Sequence, residues 1–158
     1  MTQTEWPADW SERMAGKGCP LCGVVGNGDN DHSIFLWTGN GTETRLQRHS
    51  SIPAYCIVLW AEGHVSEPDE LPAQAAARYW HDVVETGRAI RSAFEPLKIN
   101  YLTLGNAVPH LHTHVFPRLP GDPFPGRPFP WEVLTNVPAT PDPVLQEQAA
   151  MLRASRAA

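Results

Sequence analysis

Apolar residues along this chain follow two spacings, and the change from one to the other maps its elements. Between Ser33 and Thr38, the run Ile34-Phe35-Leu36-Trp37 is bounded by turn chemistry on both sides: Asn27-Gly28-Asp29-Asn30-Asp31 before it and Gly39-Asn40-Gly41 after it. This predicts a strand over Ser33–Thr38, a hairpin turn, and a returning strand over Thr42–Gln47. Ala54–Trp60 reads as the clearest buried strand and runs out at Ala61-Glu62-Gly63-His64. From Pro72 to Phe94 the period becomes helical. Pro72 suits a first turn, Ala73–Ala77 is rich in alanine, and Tyr79, Val83, Ile90 and Phe94 line one face. Thr86-Gly87 weakens that helix and Pro96 marks its end. Lys98–Leu102 reads as a further strand, Gly105–Ala107 as a turn, and Pro109–Phe116 as the next strand. Six prolines between Pro117 and Pro130 impose an irregular, extended loop, and Val144–Ala157 has the character of a terminal helix. Near the start, a helical turn is expected around Asp9–Met14, followed by a tight knuckle at Cys19-Pro20-Leu21-Cys22-Gly23. Paired strands around one long helix predict an α+β domain with a mostly antiparallel sheet. With 158 residues, no internal repeat and no linker, one domain over 1–158 is expected.

The last predicted strand holds His110-Leu111-His112-Thr113-His114-Val115-Phe116. On a strand, positions i, i+2 and i+4 share one face. Three neighbouring imidazoles pack poorly, since each brings ring nitrogens that need partners. Such a strip suits metal or phosphate chemistry.

Composition narrows the classes. The net charge is −5 and there is no dense basic run, so nucleic acid is not expected as the main partner. No apolar run has the length of a membrane span, and the first residues lack the features of a signal peptide. A cytoplasmic location is the expectation. Three cysteines cannot all pair within one chain. Cys56 reads as a small core residue; the close pair Cys19 and Cys22 suggests metal or redox chemistry.

The run from Gly105 to Arg118, with Asn106, Ala107, three alternating histidines and a closing Pro117-Arg118, resembles the signature of the histidine triad (HIT) superfamily. The order of upstream features agrees over residues 19–118; the proline-rich loop and C-terminal helix of 119–158 lie beyond the resemblance. It implies a HIT-like α+β fold, usually a homodimer, and hydrolysis or transfer of nucleotides through a covalent nucleotidyl-histidine. His112 would be the nucleophile on the α-phosphorus. His114 would bind phosphate oxygens and protonate the leaving group, and His110 would complete the triad. His114 looks like the hydrolase branches, because transferase relatives tend to carry Gln there. The implied substrates are a dinucleoside polyphosphate, a nucleoside phosphoramidate or a related AMP conjugate. Donors to the phosphoryl oxygens would come from Asn106 and from backbone N–H groups of the histidine strand, although Asn106 also suits a plain turn residue after Gly105. Many relatives have Gln then Ser or Thr where this chain has Asn106-Ala107. That departure keeps open a nucleotide-binding or zinc-dependent interaction module, and nucleotidyl transfer is a third reading. Several branches with a C-x-x-C bind structural zinc through residues matching Cys19, Cys22, His64 and His110; a reduced thiol pair capping a turn is the alternative. Structural roles are expected for His32, His49 and His81, and core or interface roles for Trp37, Trp60, Trp80 and Trp131. Trp131 is a candidate to close over a bound base.

Overall fold

The computed structural model describes residues 5–130, 134 and 137–157. After a short helix α1 (Trp10–Met14), five strands form one antiparallel sheet: β1 (Ser33–Thr38), β2 (Thr42–Gln47), β3 (Cys56–Trp60), β4 (Lys98–Thr103) and β5 (His112–Arg118), in the order β1-β2-β3-β5-β4. The helix α2 (Ala73–Phe94) connects β3 to β4, and α3 (Asp142–Ala157) closes the chain. No helix among the described residues is long and apolar enough to cross a membrane.

The alternation of the strands gives the sheet two distinct faces. Ile34, Leu46, Cys56, Val58, Trp60 and Val115 join Tyr79, Val83 and Ile90 of α2 and Leu145, Ala149 and Leu152 of α3 in the main core. The opposite face carries Ile57 and Leu59 of β3, with Tyr55 just before that strand, beside His112, His114 and Phe116 of β5, because Ile57 stands opposite His114 and Leu59 opposite His112. Residues 26–28 cover the β1–β2 end of that face. Gly26 N–H donates to Glu43, while buried Arg45 bonds Glu43, Ser33 Oγ and the carbonyls of Asn27 and Gly28. A smaller cluster of Ile52, Tyr55, Phe116 and Leu134 covers the other end.

Element ends depart from expectation where distant residues intervene. β3 starts at Cys56 rather than Ala54, because buried Ala54 is left-handed (φ 55°) and gives its N–H to Gln148 of α3. β5 starts at His112 rather than Pro109: Leu111 N–H is taken by the Val65 carbonyl, outside the sheet. α2 continues through Thr86-Gly87, where Thr86 Oγ1 bonds the Asp82 carbonyl and a Cβ on Gly87 would run into the Tyr101 hydroxyl. The outer edge of β1 is filled: Arg153 and Arg156 of α3 donate to the carbonyls of Phe35, Leu36 and Thr38, and Asp29 accepts from Phe35 N–H. The outer edge of β4 has no such cover among the described residues.

Candidate functional site

β5 lies between β3 and β4, so residues Thr113–Val115 have strand partners on both sides. Their amides belong to the sheet ladders and are not available to a ligand. The expectation of phosphate donors from the backbone of this strand therefore does not extend to Thr113–Val115. Thr113 points to the helix face, where its hydroxyl meets Tyr79 and Thr103 hydroxyls, both at 2.7 Å. That anchors the strand from behind.

His112 and His114 share the other face, with ring centroids 4.9 Å apart. His112 Nδ1 donates to the His110 carbonyl at 2.6 Å. A neutral ring that donates through Nδ1 carries its lone pair on Nε2. Burial holds this imidazole below the usual histidine pKa, which favours the neutral form. A cavity of about 450 Å³ opens here, lined by His112, His114, Ile57, Leu21 and the segment Leu104–Val108, Asn106 included. Asn106 follows left-handed Gly105 (φ 78°), so it is both a turn residue and part of the cavity wall. A second cavity, about 440 Å³, adjoins at Ile57 and His114 and is lined by His32, Gln47, His49, Tyr55 and Leu134. His32 and His49 thus border this space, with rings 6.2 Å apart, while His81 lies exposed beside Asp82. Trp37 and Trp60 are buried and Trp80 is exposed. Trp131 falls outside the described residues.

His110 does not line either cavity. It precedes the strand, and its ring turns to the knuckle, edge to face with His64 at 5.4 Å. Its Nδ1 lies 3.6 Å from Cys19 Sγ and 3.4 Å from Cys22 Sγ; His64 Nδ1 lies 3.4 Å from Cys22 Sγ. The four ligand atoms of Cys19, Cys22, His64 and His110 fall within 4.8 Å of one another. Both rings are oriented from behind. His110 Nε2 donates to the Trp60 carbonyl at 2.7 Å and His64 Nε2 to the Met14 carbonyl at 3.0 Å, so both Nδ1 lone pairs face the thiols. Gly16 is left-handed and its missing Cβ leaves room for the His64 ring.

Tyr55 escaped the sequence reading. Its hydroxyl lies 2.8 Å from His114 Nδ1. Alternation puts Tyr55, Ile57 and Leu59 on one face, but only the β3–β5 register turns that face toward the histidines.

Compared with known proteins, a family model described as the HIT domain matches residues 30–121. A curated relative, the protein hit of Bacillus subtilis, is 37% identical over 60 residues, which cover 35% of this chain and 41% of that protein, so the aligned stretch spans less than half the relative's length. A histidine triad protein from Bradyrhizobium japonicum superposes with a TM-score of 0.71 at 22% identity, over 79% of this chain and 91% of its own. A zinc-bound histidine triad family protein from Mycobacterium smegmatis gives 0.62 at 23%, over 88% and 93%. These structures establish likeness of fold. Since the matched segment spans more than half of the chain and contains its histidine strand, this protein belongs to the HIT domain family.

Proposed function

We propose that this protein is a nucleotide hydrolase that cleaves at the α-phosphate of a dinucleoside polyphosphate, a nucleoside phosphoramidate or a related AMP conjugate. The observation that carries this reading is the 2.6 Å bond from His112 Nδ1 to the His110 carbonyl, which leaves a nucleophilic lone pair on Nε2 at the wall of the 450 Å³ cavity. His112 Nε2 attacks the α-phosphorus, a P–N bond forms, and the bond to the leaving group breaks with its electron pair departing on that group. Water then releases the nucleoside monophosphate and frees His112. His114 and Asn106 border the same cavity and supply donors to the phosphoryl oxygens, whose charge grows during transfer. Family membership supports a nucleotide as the substrate, and His114, where transferases tend to carry Gln, supports water as the acceptor.

A structural zinc fits the donor set. With Zn–S of about 2.3 Å and Zn–N of about 2.1 Å, a tetrahedron has S···N edges of about 3.6 Å, and the three S···N distances are 3.4, 3.4 and 3.6 Å. Burial first, then the adjacent Cys19 sulfur, push the Cys22 thiol up to about 11; a divalent cation reverses that preference and draws off the proton. Cys19, Cys22, His64 and His110 would hold the ion as a closed site that ties the N-terminal knuckle to the histidine strand. Thiols kept reduced for this purpose agree with a cytoplasmic location. We also assign a homodimer through the open edge of β4, where Leu97, Tyr101 and Leu104 are exposed.

The test is turnover. Wild type is expected to release a nucleoside monophosphate from a panel of such conjugates, and His112→Ala to reduce release to background while keeping its fold by circular dichroism. Equal turnover by that variant would remove His112 as nucleophile. Tight binding of a nucleoside monophosphate without turnover across the panel would favour the binding module instead.

A further inference from the structure

The bond between Tyr55 and His114 can be made in two ways, and only one of them satisfies both groups. In the first, the tyrosine O–H donates to Nδ1 and the imidazole keeps its proton on Nε2. In the second, Nδ1–H donates to the phenol oxygen, and the tyrosine proton needs a different acceptor. Tyr55 is 3% exposed, and among the described residues His114 is its only side-chain hydrogen-bond partner. Its ring is fixed by an edge-to-face contact with Phe116 at 5.2 Å, so the hydroxyl has little freedom to look elsewhere. A buried hydroxyl without an acceptor loses its bond to water and gains nothing in return. The first arrangement therefore wins. It also serves the neighbouring cavity, because an Nε2–H attracts a phosphoryl oxygen and an Nε2 lone pair repels one.

We infer that Tyr55 is a positioning residue that fixes the tautomer of His114, so that His114 meets the transferred phosphoryl group as a neutral Nε2–H donor. This deepens the hydrolase reading and rests on it. The proton balance carries a consequence for the leaving group. If His114 gave its Nε2 proton to a departing atom, Nδ1 would have to take the tyrosine proton and leave a buried tyrosinate. Burial disfavours that ion, raising the Tyr55 hydroxyl well above its ordinary value. His114 itself is held down to about 3 by burial and by the nearby His112, so the imidazolium is not an available acid near neutrality. The pair therefore stabilises charge on phosphoryl oxygens and does not hand over a proton. Leaving groups that depart as stable anions, such as the phosphate chain of a nucleoside polyphosphate, suit this site. An amine, which must be protonated as its P–N bond breaks, does not.

Two measurements decide the matter. Long-range proton–nitrogen correlation spectra of the 15N-labelled protein, with His114 assigned by its loss in His114→Gln, should show the Nε2–H tautomer at neutral pH, and Tyr55→Phe should lose that single-tautomer signature. An Nδ1–H ring in wild type, or an unchanged pattern in Tyr55→Phe, overturns the assignment. This readout needs no turnover, so it stands apart from the hydrolase reading. For the consequence, diadenosine polyphosphate and adenosine 5′-phosphoramidate are compared as substrates. Wild type should favour the polyphosphate, and Tyr55→Phe, whose His114 Nδ1 is open to a proton from water rather than from a buried tyrosine, should narrow that ratio by about tenfold or more, general-acid assistance being worth some 10²–10⁴ in rate. A wild type that favours the phosphoramidate, or a ratio untouched by the substitution, overturns it.

Discussion

Arg45 is a charged residue placed where the sheet expects an apolar one: 1% exposed, opposite Ile57 and two strands from His114. Its guanidinium bonds Glu43 at 3.0 Å, and Glu43 in turn holds Gly26 N–H at 2.6 Å. Removing one partner of a buried pair leaves the other charge unmatched, at a cost of about 3–5 kcal/mol. Arg45→Met should therefore lose stability on that scale in denaturant unfolding, and the double variant with Glu43→Gln should recover part of it. A loss under about 1 kcal/mol in the single variant, the range of an exposed pair, would show that the pair is open to water. The purpose of the network is legible in its partners. Asn27 and Gly28 carbonyls end on the same guanidinium, so Arg45 fastens the loop between the knuckle and β1 to the sheet.

At the scale of elements, that loop is also tied at its other end. The knuckle meets β3, the turn after it and the start of β5 through Cys19, Cys22, His64 and His110. Protein purified without chelator should hold about one zinc per chain, four protein ligands leaving no open position. Cys22→Ser should abolish the metal and lower the melting temperature; metal analysis of wild type without zinc would end the assignment. Much of this arrangement was readable in advance, because local chemistry sets it. Gly39-Asn40-Gly41 fixed both ends of the β1–β2 hairpin, and the histidine alternation placed His112 and His114 on one face. What sequence left hidden depends on register and distant contacts. Ala54 leaves the β3 ladder because Gln148, far along the chain, takes its N–H, and His110 leaves the strand because Val65 captures Leu111. Tyr55 could be matched to His114 only once β3 and β5 were aligned.

Across the whole molecule, the buried imidazoles make stability depend on pH with a definite sign. His114 is held down to about 3 in the fold, by burial first and then by His112, against roughly 6.5 in the unfolded chain. Below 6.5 the unfolded chain takes up a proton that the folded one refuses. Its contribution is complete above that value and is lost as pH falls toward the folded pKa, at up to about 1.4 kcal/mol per pH unit. His110 and His112 are shifted the same way by burial. Metal-free protein unfolded in denaturant at pH 7 and pH 5.5 should show this decline, and His114→Gln should make it shallower. Parallel slopes for the two proteins would contradict it.

The two borders of the sheet are finished differently. α3 folds back so that Arg153 and Arg156 seal β1, whereas nothing comparable among the described residues seals β4. A molecule with a single adhesive border can join one copy of itself and then has none left to recruit a third. If β4 pairs with its counterpart in a second copy, growth by strand addition stops there, because the arginines of the last helix already occupy the β1 border.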